Sequence, residues 1–312
     1  MRVVFMGTPE FAVVSLRTLV EAGVEVVSVV TQPDRPKGRG KKLCPPPVKE
    51  YAVAKGLPVL QPQSIKDSAF KELLAELSPH VIAVVAYGKI LPKEILDIPP
   101  LGCINVHASL LPKYRGAAPI HWAIINGETE TGVTTIFMDQ GMDTGDMILQ
   151  ARIKIEPDDT AGSVHDRLAV LGGQLLLKTL RHLAEGTAFR IPQDHSRATY
   201  APLLTKEDEI IDWRKTAQQI VNHIRGMNPW PGAQTTYRGQ VLKLWRAEVA
   251  DGEGRASEPG TILAADVFQG IIVQAGEGRV RLCGLQPAGR KPMDAGAFLR
   301  GYRLDVGTNL GE

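Results

Sequence analysis

Asn105 and His107 stand two residues apart in the stretch Gly102-Cys-Ile-Asn-Val-His-Ala-Ser-Leu-Leu-Pro-Lys-Tyr-Arg-Gly116. The stretch opens as a short strand, and side chains on a strand alternate. Asn105 and His107 therefore project together, while Ile104 and Val106 point the other way. An amide can donate hydrogen bonds, and an imidazole can donate or carry a proton. A polar pair at the carboxyl end of a strand in an open α/β sheet lies where such folds place their chemistry. A lone histidine there would read as a satisfied core residue. The second polar side chain on its face favours a site.

A third group lies further on. Asp139-Gln-Gly-Met-Asp-Thr-Gly-Asp146 separates two apolar runs, 132–138 and 147–155, and reads as the turn of a hairpin. An EF-hand does not fit, because the twelfth residue counted from Asp139 is Gln150 and that position needs a bidentate carboxylate. Asp143 is the candidate carboxylate for His107. Cys103 and His107 together supply only two metal ligands, too few for a site.

The elements that must position these groups follow from periodicity. Residues 2–6 are an apolar run ending at Gly7. Thr8 reads as an N-cap, Pro9 as the first helical residue and Glu10 as a first-turn acid, with Gly23 as the stop. Residues 24–30 form the second strand, which completes a βαβ unit and hence a parallel sheet. The turn Gly-Thr-Pro-Glu lacks the GxGxxG glycines, so no NAD or FAD is expected. Helices are expected over 47–56, 66–77, 118–126 and 160–184. In 66–77 the apolar face is Phe70, Leu73, Leu74 and Leu77. Residues 80–85 are nearly all apolar, as a central parallel strand should be. They lead into Ala86-Tyr-Gly-Lys-Ile-Leu-Pro92, a loop at the same sheet edge as 105–116.

The loop after the second strand carries Arg35, Lys37, Arg39, Lys41 and Lys42 against Asp34 alone. Its Pro and Gly residues oppose both helix and strand. A basic loop of this kind suits contact with the phosphates of a nucleic acid. From Arg190 to Asp208 the pattern weakens into polar residues and prolines, which reads as a linker. Beyond it, 211–227 reads as one amphipathic helix. Short β-rich segments follow at 233–237, 241–249, 260–264, 270–274 and 280–286, which suggests a small OB-like β-barrel. The expected architecture is α/β: a Rossmann-like, mostly parallel sheet with helices on both faces over 1–189, a linker over 190–208, and the OB-like domain over 209–312.

Composition narrows the class. The 312 residues suit two domains, and 44% apolar with 22% charged residues is ordinary for a water-soluble protein. No apolar run reaches about 18 residues, so no membrane span is expected. The first strand begins at residue 2, leaving no room for a signal peptide. Cys44, Cys103 and Cys283 show no CxxC spacing and no disulfide framework, which suits a reducing cytoplasm. A net charge of +2 means that nucleic-acid binding must rest on local patches. No heptads appear, so a monomer is expected.

Taken together, Asn105-Val-His107, Ser109-Leu110-Leu111-Pro112 and Asp139-x-Gly-x-Asp143 resemble the 10-formyltetrahydrofolate-dependent formyltransferases. The opening Phe5-Met-Gly-Thr-Pro-Glu-Phe11, the basic loop and the C-terminal β-rich part resemble those members that act on initiator methionyl-tRNA. The resemblance implies formyl transfer from 10-formyltetrahydrofolate, as co-substrate and without a metal, to the α-amino group of the methionine. It implies Asn105, His107 and Asp143 as catalytic. It puts the folate against Tyr87, Gly88, Ile90, Leu91, Pro92, Ser109, Leu110, Leu111, Pro112 and Asp139. The acceptor end of the tRNA would meet Arg35, Lys37, Arg39, Lys41 and Lys42, and the C-terminal domain would hold its stem.

Overall fold

A computed structural model describes residues 1–37, 42–252 and 257–312. The chain forms two compact units. The first comprises Met1–Pro119, Glu130–Ile153 and His165–Ala201; the second comprises Ile120–Thr129, Lys154–Val164 and Pro202–Glu312.

The first unit is built on a seven-stranded sheet in the order Met147–Lys154, Glu130–Phe137, Cys103–His107, Val81–Val85, Arg2–Gly7, Glu25–Val30, Val59–Leu60. The last five strands run parallel, and Glu130–Phe137 is antiparallel to Cys103–His107. Every residue of Val81–Val85 is buried, as its apolar run requires. Alternate side chains feed opposite faces. Val4, Met6, Ile82, Val84 and Cys103 pack with Phe70, Leu74, Leu91 and Ile95 on one face. On the other, the helix Ala161–Ala184 approaches so closely that a Cβ at Gly172 would lie 3.1 Å from Val106 Cγ1. A Cβ at Gly173 would lie 2.7 Å from Thr18 Oγ1 of the helix Glu10–Glu21. Asn105 and His107 share the face of Cys103.

Parallel register brings the carboxyl ends together: Gly7 pairs with Val85, and Val84 with Asn105. Thr8 does not cap the first helix. Pro9 holds the N-cap position without a side-chain bond, and the Thr8 hydroxyl donates to Tyr87 O at 3.2 Å. That bond ties two loops at the carboxyl edge, an outcome local capping rules cannot foresee. The helix expected over 66–77 runs Ser68–Glu76 and starts on Asp67, whose carboxylate accepts from Ala69 N. Its buried stripe is Phe70 and Leu74, and Leu73 is 38% exposed.

The stretch 190–208 is more than a connector, because its residues up to Ala201 belong to the first unit. Met147 and Ile191 exchange both backbone bonds, at 2.8 and 2.9 Å. Tyr200–Ala201 pairs in parallel with Arg115–Gly116. Isolated pairings of this length leave no periodic pattern in a sequence.

In the second unit the strands follow the order Ala233–Tyr237, Gln240–Ala250, Arg279–Pro287, Gly270–Gln274, Ile262–Asp266, all antiparallel, with Met293–Asp294 added on Arg279–Pro287. One apolar cluster gathers Leu244, Ile262, Val273, Leu282 and Leu285 with Ile220 and Ile224 of the helix Ala217–Gly226. That helix starts six residues later than the pattern 211–227 predicts. Ile211 and Trp213 are buried ahead of the helix, Trp213 within a turn closed by Lys215 N donating to Asp212 O: Ile211 N donates to Gln234 O, and the Trp213 indole donates to Thr235 Oγ1 at 3.1 Å. The capping box of Thr216 and Gln219 then starts the helix. Gly226 lets the backbone meet Ile125, where a Cβ would come within 2.4 Å of Cγ1. Arg225 donates to the carbonyls of Asp159 and Glu156 at 2.7 and 2.9 Å. Such contacts draw 120–129 and 154–164 into this unit, ahead of the boundary at 189 that the sequence suggests.

Candidate active site

Cys103–His107 ends at the carboxyl edge with His107 opposite Thr134 and Asn105 opposite Ile136. His107 is 6% exposed. Its Nε2 lies 2.8 Å from Tyr114 O. A carbonyl oxygen only accepts, so Nε2 carries the hydrogen of that bond. The other ring nitrogen, Nδ1, lies 3.5 Å from Asp143 Oδ2. Nδ1 is therefore where a proton can come and go, and it faces a carboxylate.

Asp143 links the groups. Its Oδ1 accepts from Asn105 Nδ2 at 3.3 Å, and its Oδ2 accepts from Gly116 N at 2.9 Å. One of the two Asn105 amide hydrogens is engaged in this way. Asp143 has φ +56, a backbone conformation that non-glycine residues adopt at a cost. The surrounding turn holds it there. Asp139 Oδ1 accepts from Gly141 N and Thr144 Oγ1 at 3.0 and 2.7 Å. A Cβ at Gly145 would sit 1.7 Å from Phe137 O, so only glycine fits.

Asp143, 38 residues on from Asn105, is thus brought together with Asn105 and His107. The residues proposed to line a folate divide into two groups. Gly88 and Ile90 are exposed, and Leu110 and Pro112 are half-buried. Leu91 and Leu111 are buried, and the Ser109 hydroxyl donates to Lys113 O at 2.7 Å. Asp139 is occupied by its own turn. Tyr87 turns its ring into the apolar cluster beneath the loop. Its hydroxyl is buried without a partner among the described residues, and burial pushes the phenol up to about 12. Tyr87→Phe removes an unsatisfied buried group, whose cost is about 1–3 kcal/mol. The variant is expected to melt no lower than the parent and to keep the folate KM within about twofold; a large rise in KM would assign the hydroxyl to the ligand instead.

The basic loop departs from the open loop expected. Arg35–Lys37 and Lys42–Cys44 form a two-stranded antiparallel ribbon, with Arg35 opposite Cys44. Pro36 is tolerated because the ribbon is all edge. Arg35 and Lys42 are exposed. Arg39 and Lys41 lie outside the described residues, and of Lys37 only the backbone is described. Asp34, the one acid of the loop, is occupied elsewhere. Gln61 donates to it at 2.7 Å and Lys49 at 2.8 Å, and these bonds hold its carboxyl below the usual range.

Sequence reasoning missed Tyr114, Arg115, Gly116 and Gln193. Arg115 is 2% exposed and donates through Nε and Nη2 to Gln193 Oε1, at 3.1 and 2.6 Å. Tyr114, Arg115 and Gly116 end the stretch that begins with the strand and carry no pattern of their own, and Gln193 lies in the stretch that reads as a linker. Among the described residues no His, Cys, Asp or Glu side chains group as a metal site, and no helix is long and apolar enough to cross a membrane.

Residues 1–180 match the formyl transferase family and 203–303 match the formyl transferase C-terminal domain. The chain is 60% identical over 312 residues to the methionyl-tRNA formyltransferase of Pelotomaculum thermopropionicum, covering 100% of this chain and 99% of that protein. It is 52% identical to that of Geobacter sulfurreducens, covering 100% and 97%. Among solved structures, the N-formyltransferase of Helicobacter canadensis, in complex with folinic acid and dTDP-3-aminofucose, has the same fold. Its TM-score is 0.68 at 20% identity, covering 90% of this chain and 98% of that one. HypX from Aquifex aeolicus in complex with tetrahydrofolic acid gives 0.62 at 17% identity, covering 99% and 50%.

Proposed function

We propose the function of this chain from one fact: it belongs to the formyl transferase family, among the methionyl-tRNA formyltransferases. It transfers a formyl group to the α-amino group of methionyl initiator tRNA. The donor is 10-formyltetrahydrofolate. The observation that carries this reading is full-length identity to the bacterial methionyl-tRNA formyltransferases, joined to the convergence of Asn105, His107 and Asp143 on one sheet edge.

In this reading the neutral amine attacks the formyl carbon, and the carbonyl oxygen becomes an oxyanion. The free amide hydrogen of Asn105 donates to that oxygen. His107 contributes through Nδ1, because Nε2 is committed to Tyr114 O. The Asp143 carboxylate faces Nδ1 and accepts from the Asn105 amide, which aligns both groups. The intermediate collapses by breaking the bond from the formyl carbon to N10. The attacking nitrogen loses a proton and N10 gains one, through His107 directly or through water. Gly88, Ile90, Leu110 and Pro112 offer the folate its surface, and the buried Leu91, Leu111, Ser109 and Tyr87 support that wall from behind.

The first unit carries the chemistry and the β-rich part over 209–312 holds the tRNA stem, with the chain acting as a monomer in the cytoplasm. The deciding assay incubates the protein with 10-formyltetrahydrofolate, with and without charged initiator tRNA. Formylmethionyl-tRNA formed only when both are present supports the reading. Tetrahydrofolate released without tRNA would point to a hydrolase. No turnover would leave an RNA-binding protein.

The ribbon of Arg35 and Lys42 is assigned to tRNA phosphates. Neutralising Arg39, Lys41 and Lys42 is expected to weaken tRNA binding and to flatten its log–log salt dependence by roughly one per cation removed. Filter binding across a salt series measures this, and an unchanged slope gives the loop another role.

A further inference from the structure

The segment Arg190–Ala201 is bound to both loops that hold the site. Gln193 Nε2 donates to the carbonyls of Asp143 and Gly145, at 2.8 and 2.7 Å. Its Oε1 accepts twice from Arg115, so all of its hydrogen-bonding capacity is used. The reversed amide would oppose oxygen to carbonyls and nitrogen to a guanidinium, so the partners fix its orientation. Gln193 is 6% exposed and Arg115 2%. Six residues on, Thr199 Oγ1 accepts from Tyr114 N at 2.9 Å, and Thr199 O accepts from Arg115 N at 2.9 Å.

These bonds fall on two strained positions. Asp143 has φ +56 and Tyr114 has φ +60, and neither is glycine. Each such conformation costs about 1–3 kcal/mol and persists only when its surroundings impose it. Asp143 carries the carboxylate that faces His107 Nδ1, and Tyr114 carries the carbonyl that engages His107 Nε2. The segment therefore grips the residues on either side of the imidazole. We infer that Gln193 and Thr199 are positioning residues, and that Arg190–Ala201 is a strap setting the alignment of Asp143 and His107. This inference rests on the reading that Asn105, His107 and Asp143 carry the transfer.

Gln193→Glu separates positioning from mere support. The new carboxylate still accepts from Arg115, so the buried guanidinium keeps a partner and folding is retained. It cannot donate to the Asp143 and Gly145 carbonyls. Turnover is expected to fall on the order of 10²-fold, as for a misplaced reacting group, with the folate KM within about twofold. The pH profile of kcat should shift with it. The Gly116 amide, bonded to Asp143, should exchange its hydrogen faster, which is read without any activity. In an Asp143→Ala background the same change should cost almost nothing more. Thr199→Val is the second variant. It should lower turnover and move the His107 ring resonances, and Thr199→Ser should restore both. Gln193→Glu with parental turnover and parental Gly116 exchange would overturn the inference. So would full additivity with Asp143→Ala. A parent protein that forms no formylmethionyl-tRNA would sink the proposed function instead, while the exchange measurement would still judge the strap.

Discussion

His107→Ala is expected to lower kcat for formylation by about 10²–10⁴-fold, with tRNA affinity nearly unchanged. The size follows from what is lost. Nδ1 is the nitrogen that can exchange a proton, it faces a carboxylate at 3.5 Å, and no other imidazole meets Asp143 among the described contacts. The substitution also leaves Tyr114 O without its ring donor. A lost buried hydrogen bond costs about 0.5–1.5 kcal/mol of stability, so thermal melts must accompany the kinetics. His107→Gln separates the two effects. Its amide can donate to Tyr114 O and retain the loop, but it cannot carry a proton. Single-turnover formylation at saturating folate is the measurement. If His107→Gln keeps near-parental turnover, His107 is a spacer and proton transfer lies elsewhere.

Asn105→Ala should cost about 10²–10³-fold in kcat, the scale of one lost oxyanion donor, or about 2.7–4 kcal/mol of transition-state stabilisation. In the proposed mechanism two roles are removed together, since the Asn105 amide also donates to Asp143 Oδ1. Asn105→Asp makes the sharper test. It has nearly the same shape but sets a second carboxylate beside the first, with no hydrogen to offer the oxyanion. The expected order is parent far above Asn105→Ala, with Asn105→Asp at or below Ala. An effect confined to KM in both variants would make Asn105 a binding residue. Parental kcat in Asn105→Asp would dismiss oxyanion stabilisation by this side chain.

The parallel sheet was legible because its strands are local and apolar. Residues 2–6, 24–30 and 80–85 need no distant partner to declare themselves. The strand offset of two was enough to put Asn105 and His107 on one face. The carboxylate at 143 was legible as a candidate only because the polar pair at 105 and 107 called for a partner; alone, a turn rich in Asp and Gly between two apolar runs is an ordinary hairpin. The helix start at 217 was not legible, since the buried Ile211 and Trp213 extend the apolar pattern ahead of it, and the turn that separates them from the helix closes through Lys215 N to Asp212 O without a Gly or Pro to mark it. The Tyr87 ring shows a similar limit. Its place in a carboxyl-edge loop was readable, but the direction of the side chain was set by the apolar cluster beneath it.

The sequence by itself determined the residue types of the site, the order of the elements that carry them and the basic character of the loop at 35–42. These depend on local periodicity and on chemistry inherent in each side chain. Only the tertiary structure decided which nitrogen of His107 is committed, since that depends on a carbonyl seven residues away on a strained turn. Only it showed that Gln193 reaches back to Asp143 and Arg115, across separations of 50 and 78 residues. One amide in a polar stretch leaves no periodic trace, and its importance comes from burial and from partners that the fold alone brings within reach.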